Sequence, residues 1–235
     1  MSALTIVSGY WAVTNKHGAD YLDWFKTSLK INCPYVFFGT KETIAIVKEH
    51  RGLLPTHYIE LELSEFYTQR YRDDFQTDPR HCPSKELNMI WNEKLFLMQK
   101  AANLNPFKSD FFAWVDAGIT TYRKKAPPST AFPDPSKLKI LPKDKLIFTA
   151  SGPAKFKAEQ VSPATYYHFV SGTFMMHKSY INSFVEEYSR YLDKYVPMKT
   201  TVCTDQVLLT YMYKDHPDRF HILGYGYGYL LALLY

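Results

Sequence analysis

Five consecutive apolar residues, Phe111-Phe112-Ala113-Trp114-Val115, run straight into Asp116, Ala117 and Gly118. A run this short, with no polar position to alternate with, reads as a strand buried on both faces. Such a strand needs cover on both sides of its sheet. The chain must therefore be layered, with helices flanking a central sheet.

The segments before it supply the pattern. Thr5–Ser8 reads as a first buried strand closed by Gly9, Asp20–Ile31 as a helix, and Tyr35–Phe38 as a second strand closed by Gly39. Glu42–Glu49 reads as a short helix and His57–Leu63 as a third strand. A βαβαβ opening predicts a mainly parallel sheet, with ligands beyond the carboxyl ends of its strands. Phe66–Pro83 reads as a loop, and Ser84 as the cap of a helix reaching about Asn103. Further on, Pro127–Pro142 reads as an irregular excursion, Leu146–Thr149 as a strand, Gly152–Thr165 as another irregular stretch, and His168–His177 as a strand broken by Gly172. Ser179–Tyr195 and a segment capped by Thr204 read as helices. The tail, Phe220–Tyr235, is apolar and punctuated by glycine. With 235 residues, one domain is expected. Residues 1–115 would form a nucleotide-binding half and residues 116–235 an acceptor half.

Several function classes fall away. There is no Walker A loop, G-x-G-x-x-G, H-E-x-x-H or G-x-S-x-G pattern. Three widely spaced cysteines, Cys33, Cys82 and Cys203, make neither a disulfide framework nor a zinc motif. They suit a reducing compartment. No leader is legible at the start and no apolar run is long enough for a bilayer, so a cytoplasmic protein is expected, with membrane contact only at the periphery. The net charge of +5 is dispersed, with short clusters such as Arg123-Lys124-Lys125. No nucleic-acid module is recognisable. The 19 Tyr, 16 Phe and 4 Trp suit stacking on sugars and bases, and equally suit a core.

Several constellations can carry chemistry. Asp116 at the end of its strand could hold Mn²⁺ or Mg²⁺, which share hard oxygen ligands with phosphates; a strand that merely ends in a turn would present the same Asp. Gly118 would let the backbone pass close to a ligand. Ser171-Gly172 could mark close approach of a sugar, or only a kink in an edge strand. Asp205-Gln206 at a helix start could face sugar hydroxyls or supply a base, although a helix start favours Asp without any function. Lys94, on or beside the apolar side of its helix, calls for a partner such as Asp116 or a phosphate, unless its head snorkels to water. Gly9, Tyr10 and Trp11 after the first strand, with Lys16 nearby, could seat a base and a phosphate. His168, His216 and His221 are candidates to complete a metal site.

These pieces together resemble the HtrL/YibB-like family, which is grouped with GT-A glycosyltransferases. The matching blocks are T-I-V-S-G-Y-W at 5–11, Y-L-D-W-F-K-T-S-L-K-I-N-C-P-Y-V-F-F at 21–38 and H-C-P-S-K-E-L-N-M-I-W-N-E-K at 81–94. They continue with N-P-F-K-S-D-F-F-A-W-V-D-A-G-I-T-T-Y-R at 105–123, S-G-T at 171–173 and T-D-Q-V-L-L-T at 204–210. The resemblance implies a single GT-A, Rossmann-like α/β domain. It implies transfer from a nucleotide-diphosphate sugar, with a UDP-sugar as the expected donor, to a glycan or glycoconjugate. Asp116 falls where GT-A enzymes carry the last carboxylate of their metal-binding D-x-D, with Trp114 in place of the first. The alternatives are a degenerate glycan-binding or scaffold protein on the same fold, and a sugar-1-phosphate nucleotidyltransferase.

Overall fold

A computed structural model describes residues 3–15, 17–18, 20–151 and 155–235, with the backbone alone at Thr120. Lys16 and Gly152 lie outside the described residues. In chain order the elements are β1 (Leu4–Tyr10), α1 (Asp20–Ser28), β2 (Tyr35–Gly39), α2 (Lys41–Arg51) and β3 (Thr56–Glu60). They are followed by α3 (Lys85–Leu104), β4 (Phe111–Trp114), α4 (Pro135–Lys139), β5 (Leu146–Ala150), β6 (Val170–His177), α5 (Lys178–Tyr195), α6 (Asp205–Asp215), β7 (Phe220–Tyr225) and α7 (Leu230–Leu234).

Among the described residues, seven strands form one sheet in the order β3-β2-β1-β4-β6-β5-β7. β6 alone runs antiparallel to its neighbours, so the sheet is mainly parallel as the opening pattern predicts. The alternating residues of β4 show why its sequence is uniformly apolar. Phe112 and Trp114 join the core shared with α3, α5 and α6, while Phe111 and Ala113 join the core on the opposite face, with α7. Both faces of the strand are sealed, so nothing polar is tolerated along it.

Local chemistry sets the helix starts. The hydroxyls of Ser84 and Thr204 accept from the backbone N–H of Leu87 and Val207, capping α3 and α6. Three expectations need correction. β6 is a continuous eight-residue strand through Gly172, although its register with β5 shifts around that glycine, from Phe174 opposite Phe148 to Val170 opposite Ala150. The proline-rich stretch contains α4, whose N-cap Asp134 accepts from Ser136 N and whose first residue is Pro135. Within the expected loop 66–83, Tyr67–Tyr71 forms a 3₁₀ turn, held by the Glu93 carboxylate through the backbone N–H groups of Tyr67 and Thr68. Among the described residues, no helix is long and apolar enough to cross a membrane.

Arg51, at the end of α2, locks the β2 side of the molecule. Its buried guanidinium donates to the carbonyls of Leu29, Ile31, Cys33 and Pro55 and to Thr56 Oγ1, at 2.6–3.1 Å. It also lies 3.9 Å from the centre of the Tyr35 ring. A lysine has three donors on one point and cannot serve five acceptors spread along a fork. Arg51→Lys is therefore expected to cost about 1–3 kcal/mol through orphaned carbonyls. Urea unfolding measures it, and a loss under about 0.5 kcal/mol, the size of an ordinary surface substitution, would show that the fork is dispensable.

Candidate functional site

The chain runs from β1 through β2 to β3 on one side of the sheet, then returns to place β4 on the other side of β1. In an open α/β sheet, the crevice at such a reversal, beyond the carboxyl ends of the strands, is where ligands bind. A cavity of about 350 Å³ lies here, lined by Tyr10 at the end of β1, Trp11 just beyond it, and Asp116–Ile119 after β4. Because β6 is antiparallel, its starting end lies on the same side of the sheet, and Thr173 adds to the lining.

The centre of the site is a buried ion triad. Lys94 Nζ stands 2.8 Å from Asp116 Oδ1 and 2.9 Å from Asp205 Oδ2, and 3.4 Å from the carbonyl of Gly172. Burial alone would pull the Lys94 ammonium toward neutrality; the two carboxylates outweigh it and hold the group charged, above its usual range. Burial, with Asp116 adding to it, pushes Asp205 up to about 6 against the pull of Lys94. Trp114 Nε1 donates to the same Asp116 Oδ1 at 2.8 Å. Both named partners of Asp116 thus sit on one oxygen, and Oδ2 accepts no hydrogen bond from the described residues.

Three remote segments must be fixed for this triad to form. Asn92, two residues before Lys94 on α3, donates to the carbonyl of Cys203 at 3.0 Å and accepts from Tyr188 Oη at 2.6 Å. That bond pins the approach to α6 and so sets Asp205 beside Lys94. Thr210 Oγ1 accepts from the N–H groups of Phe169 and Val170, tying α6 to the start of β6. Gly172 then leaves the room. A methyl group there would stand 3.1 Å from Lys94 Nζ, 3.3 Å from Asp116 Oδ2 and 3.6 Å from Gln206 Cδ.

The sequence candidates divide accordingly. Lys94, Asp116, Asp205, Gln206 and Gly172 converge, as do Gly9, Tyr10, Trp11 and Gly118 around the cavity. Some roles change. Trp11 is buried and its indole N–H is spent on the Leu61 carbonyl at 2.8 Å, so it forms wall rather than a polar base-reading group. Glycine is needed at 9 and 118 because a Cβ would fall 2.6 Å from the rings of Trp11 and Tyr21; these positions admit the chain's own aromatics. Ser171 is buried and gives its hydroxyl to the Thr173 carbonyl. Gln206 is turned toward β6, donating to the Val170 carbonyl at 3.3 Å. His221 is the second residue of β7, paired with the second residue of β5, which puts it at the amino ends of the strands and away from Asp116. His216 lies at the end of α6, near Glu187. His168 does line the cavity, with Ser151 Oγ 2.8 Å from its Nδ1.

Sequence reasoning missed Arg123, Tyr21 and Tyr227. Arg123 lines the cavity, stacked 4.1 Å over Trp24 with Nε on the Gly118 carbonyl. Tyr21 and Tyr10 stack at 5.8 Å to form an aromatic wall. Tyr227 Oη reaches 3.5 Å from Gln206 Oε1.

A divalent ion between Asp116 and Asp205 would have to take the place that the Lys94 ammonium holds. Among the described residues no group of three His, Cys, Asp or Glu side chains is placed to hold a metal, and the two nearest carboxylates already share an ammonium.

A family model described as "Bacterial protein of unknown function (HtrL_YibB)" matches residues 56–232. No curated protein matches the sequence. Among solved structures, the chain is similar to the apo-form glycosyltransferase GlyE of Streptococcus pneumoniae TIGR4, at 8% identity and a TM-score of 0.46, over 94% of this chain and 45% of that one. It therefore spans less than half of that protein's length. It is also similar to the 4-diphosphocytidyl-2C-methyl-D-erythritol synthase of Anaerococcus prevotii DSM 20548, at 10% identity and a TM-score of 0.43, over 97% of this chain and 90% of that one.

Proposed function

The chain belongs to the HtrL_YibB family, and we propose that it is a glycosyltransferase moving a sugar from a nucleotide-diphosphate sugar, most simply a UDP-sugar, to a glycan or glycoconjugate. The observation that carries this reading is the cavity at the reversal of strand order, with one half-open carboxylate at its floor and a stacked guanidinium at its wall.

The base of the donor packs against the Tyr10–Tyr21 wall. Arg123, with its Nε anchored, keeps its remaining N–H groups for the diphosphate, in the bidentate manner that guanidinium groups favour. The sugar lies over Gly172 and Asp116. Asp205, only 3% exposed at its side chain, is sealed behind Lys94, whereas Asp116 is 25% exposed. The base assignment therefore moves from Asp205 to Asp116. In the reaction the acceptor oxygen attacks the anomeric carbon and its proton passes to Asp116 Oδ2. The bond to the β-phosphate oxygen breaks, and its electron pair leaves with the nucleoside diphosphate. Asp205 and Lys94 position Asp116.

A thermal-shift panel of nucleotide sugars tests the reading. A donor at a hundred times its Kd adds about 2.7 kcal/mol of stability, and for a chain of this size each kcal/mol moves Tm by roughly 2–4 °C. A clear shift for one nucleotide class, lost in Arg123→Ala, is the expected result. No shift from any nucleotide sugar would leave a glycan-binding module as the better reading.

A further inference from the structure

The ion triad bears on how a diphosphate is held. We infer that Lys94 is the built-in cation of this site, standing where a divalent ion would bridge Asp116 and Asp205, so that a nucleoside diphosphate binds here without metal. The part concerning the nucleotide rests on the donor reading above; the part concerning metal does not.

Space and charge both leave Lys94 in possession of the place. Mg²⁺ holds its oxygen ligands at about 2.0–2.1 Å. An ion bridging Asp116 Oδ1 and Asp205 Oδ2 would occupy nearly the point where Nζ stands, 2.8 and 2.9 Å from those atoms. The ammonium has nowhere to retreat. Its side chain is 3% exposed, and the neighbouring helix positions Asn92, Glu93 and Leu95 are buried as well. Displacing it would leave a charge in the interior without a partner, which costs more than a weak carboxylate–metal contact returns.

The surroundings are built to this plan. Gly172 leaves only the space that Nζ, Asp116 Oδ2 and the Gln206 amide already fill. Trp114, two residues before Asp116, contributes an N–H rather than an oxygen, fixing Asp116 by donation. Every group around Asp116 Oδ1 is therefore a hydrogen-bond donor. That oxygen is already satisfied as an anion and offers a bridging cation little.

Two measurements test the inference. The first titrates Mn²⁺ alone into the wild-type protein and follows the free-ion signal by electron paramagnetic resonance. The second measures UDP binding by calorimetry in EDTA and again in Mn²⁺. The expected results are no Mn²⁺ site that depends on Asp116, and UDP affinities that agree within about twofold, under half a kcal/mol. Lys94→Ala, if circular dichroism shows it folded, should gain an Mn²⁺ site between the two freed carboxylates. A stoichiometric wild-type Mn²⁺ site abolished by Asp116→Asn would overturn the inference. So would a tenfold gain in UDP affinity with Mn²⁺, about 1.4 kcal/mol, that Asp116→Asn removes. If UDP binds under neither condition, the donor reading fails, and the Mn²⁺ titration still decides whether Lys94 fills the metal's place.

Discussion

Asp116→Asn is expected to lower the rate of sugar transfer by about 10²–10⁴-fold, the range that a positioned general base contributes, while leaving donor binding nearly unchanged. The separation follows from the two ends of the carboxylate. Oδ1 receives Trp114 Nε1 and Lys94 Nζ. An asparagine carbonyl can accept both, so the side chain keeps its orientation. Oδ2, which meets no donor among the described residues, becomes an amide nitrogen and can no longer take a proton. Lys94 keeps Asp205 as its counter-ion, so the fold should tolerate the exchange. The check is kcat and KM for transfer, together with the affinity for the nucleoside diphosphate. A fall in kcat at constant affinity marks an interaction made only in the transition state. If kcat stays within about threefold, less than a kcal/mol of barrier, Asp116 is not the base. If affinity collapses instead, Asp116 holds the donor in the ground state.

Much of the fold is legible along the chain, because the relevant signals are local. The Ser84 and Thr204 caps, the apolar face of α3 and the uninterrupted apolar run of β4 are each decided within a few residues. Gly172 marks an irregularity rather than a break. The strand continues through it, but the register with β5 shifts there, with Phe148 opposite Phe174 and Ala150 opposite Val170, which is the irregularity that an interior glycine signals. The site is only half legible. That Lys94 needs a partner follows from its place on an apolar helix face, and Asp116 is one of two it finds. Asp205 is the other, 111 residues along the chain, and it arrives through the bond from Asn92 to the Cys203 carbonyl. No spacing rule announces that contact. Arg123 looks like one member of a basic surface cluster until its stacking on Trp24 fixes its direction. His221 fails as a ligand because strand direction, invisible in composition, puts it at the opposite end of the sheet.

Lys94→Met is expected to destabilise the protein by about 3–5 kcal/mol at neutral pH, the usual result of removing one partner from a buried ionic group. Methionine fills nearly the same volume, so the loss is electrostatic rather than a cavity. It leaves Asp205, 3% exposed at its side chain, and Asp116 facing each other with no cation between them. The pH dependence identifies the cause. Asp205 already binds its proton more readily in the folded state, with a pKa near 6 against 3.8 for the free group. A carboxyl raised in this way contributes stability below its unfolded value and loses it as pH rises through the folded value. Removing Lys94 takes away the charge that opposes the rise, so proton uptake by the pair moves to still higher pH. The deficit relative to wild type should thus be greatest near pH 8 and shrink as the pH is lowered through 6. Urea unfolding of both proteins across that interval measures it. A deficit that does not vary with pH would mean that Lys94 acts by packing its stem, and the triad would then be an incidental contact rather than the charge balance on which this site is built.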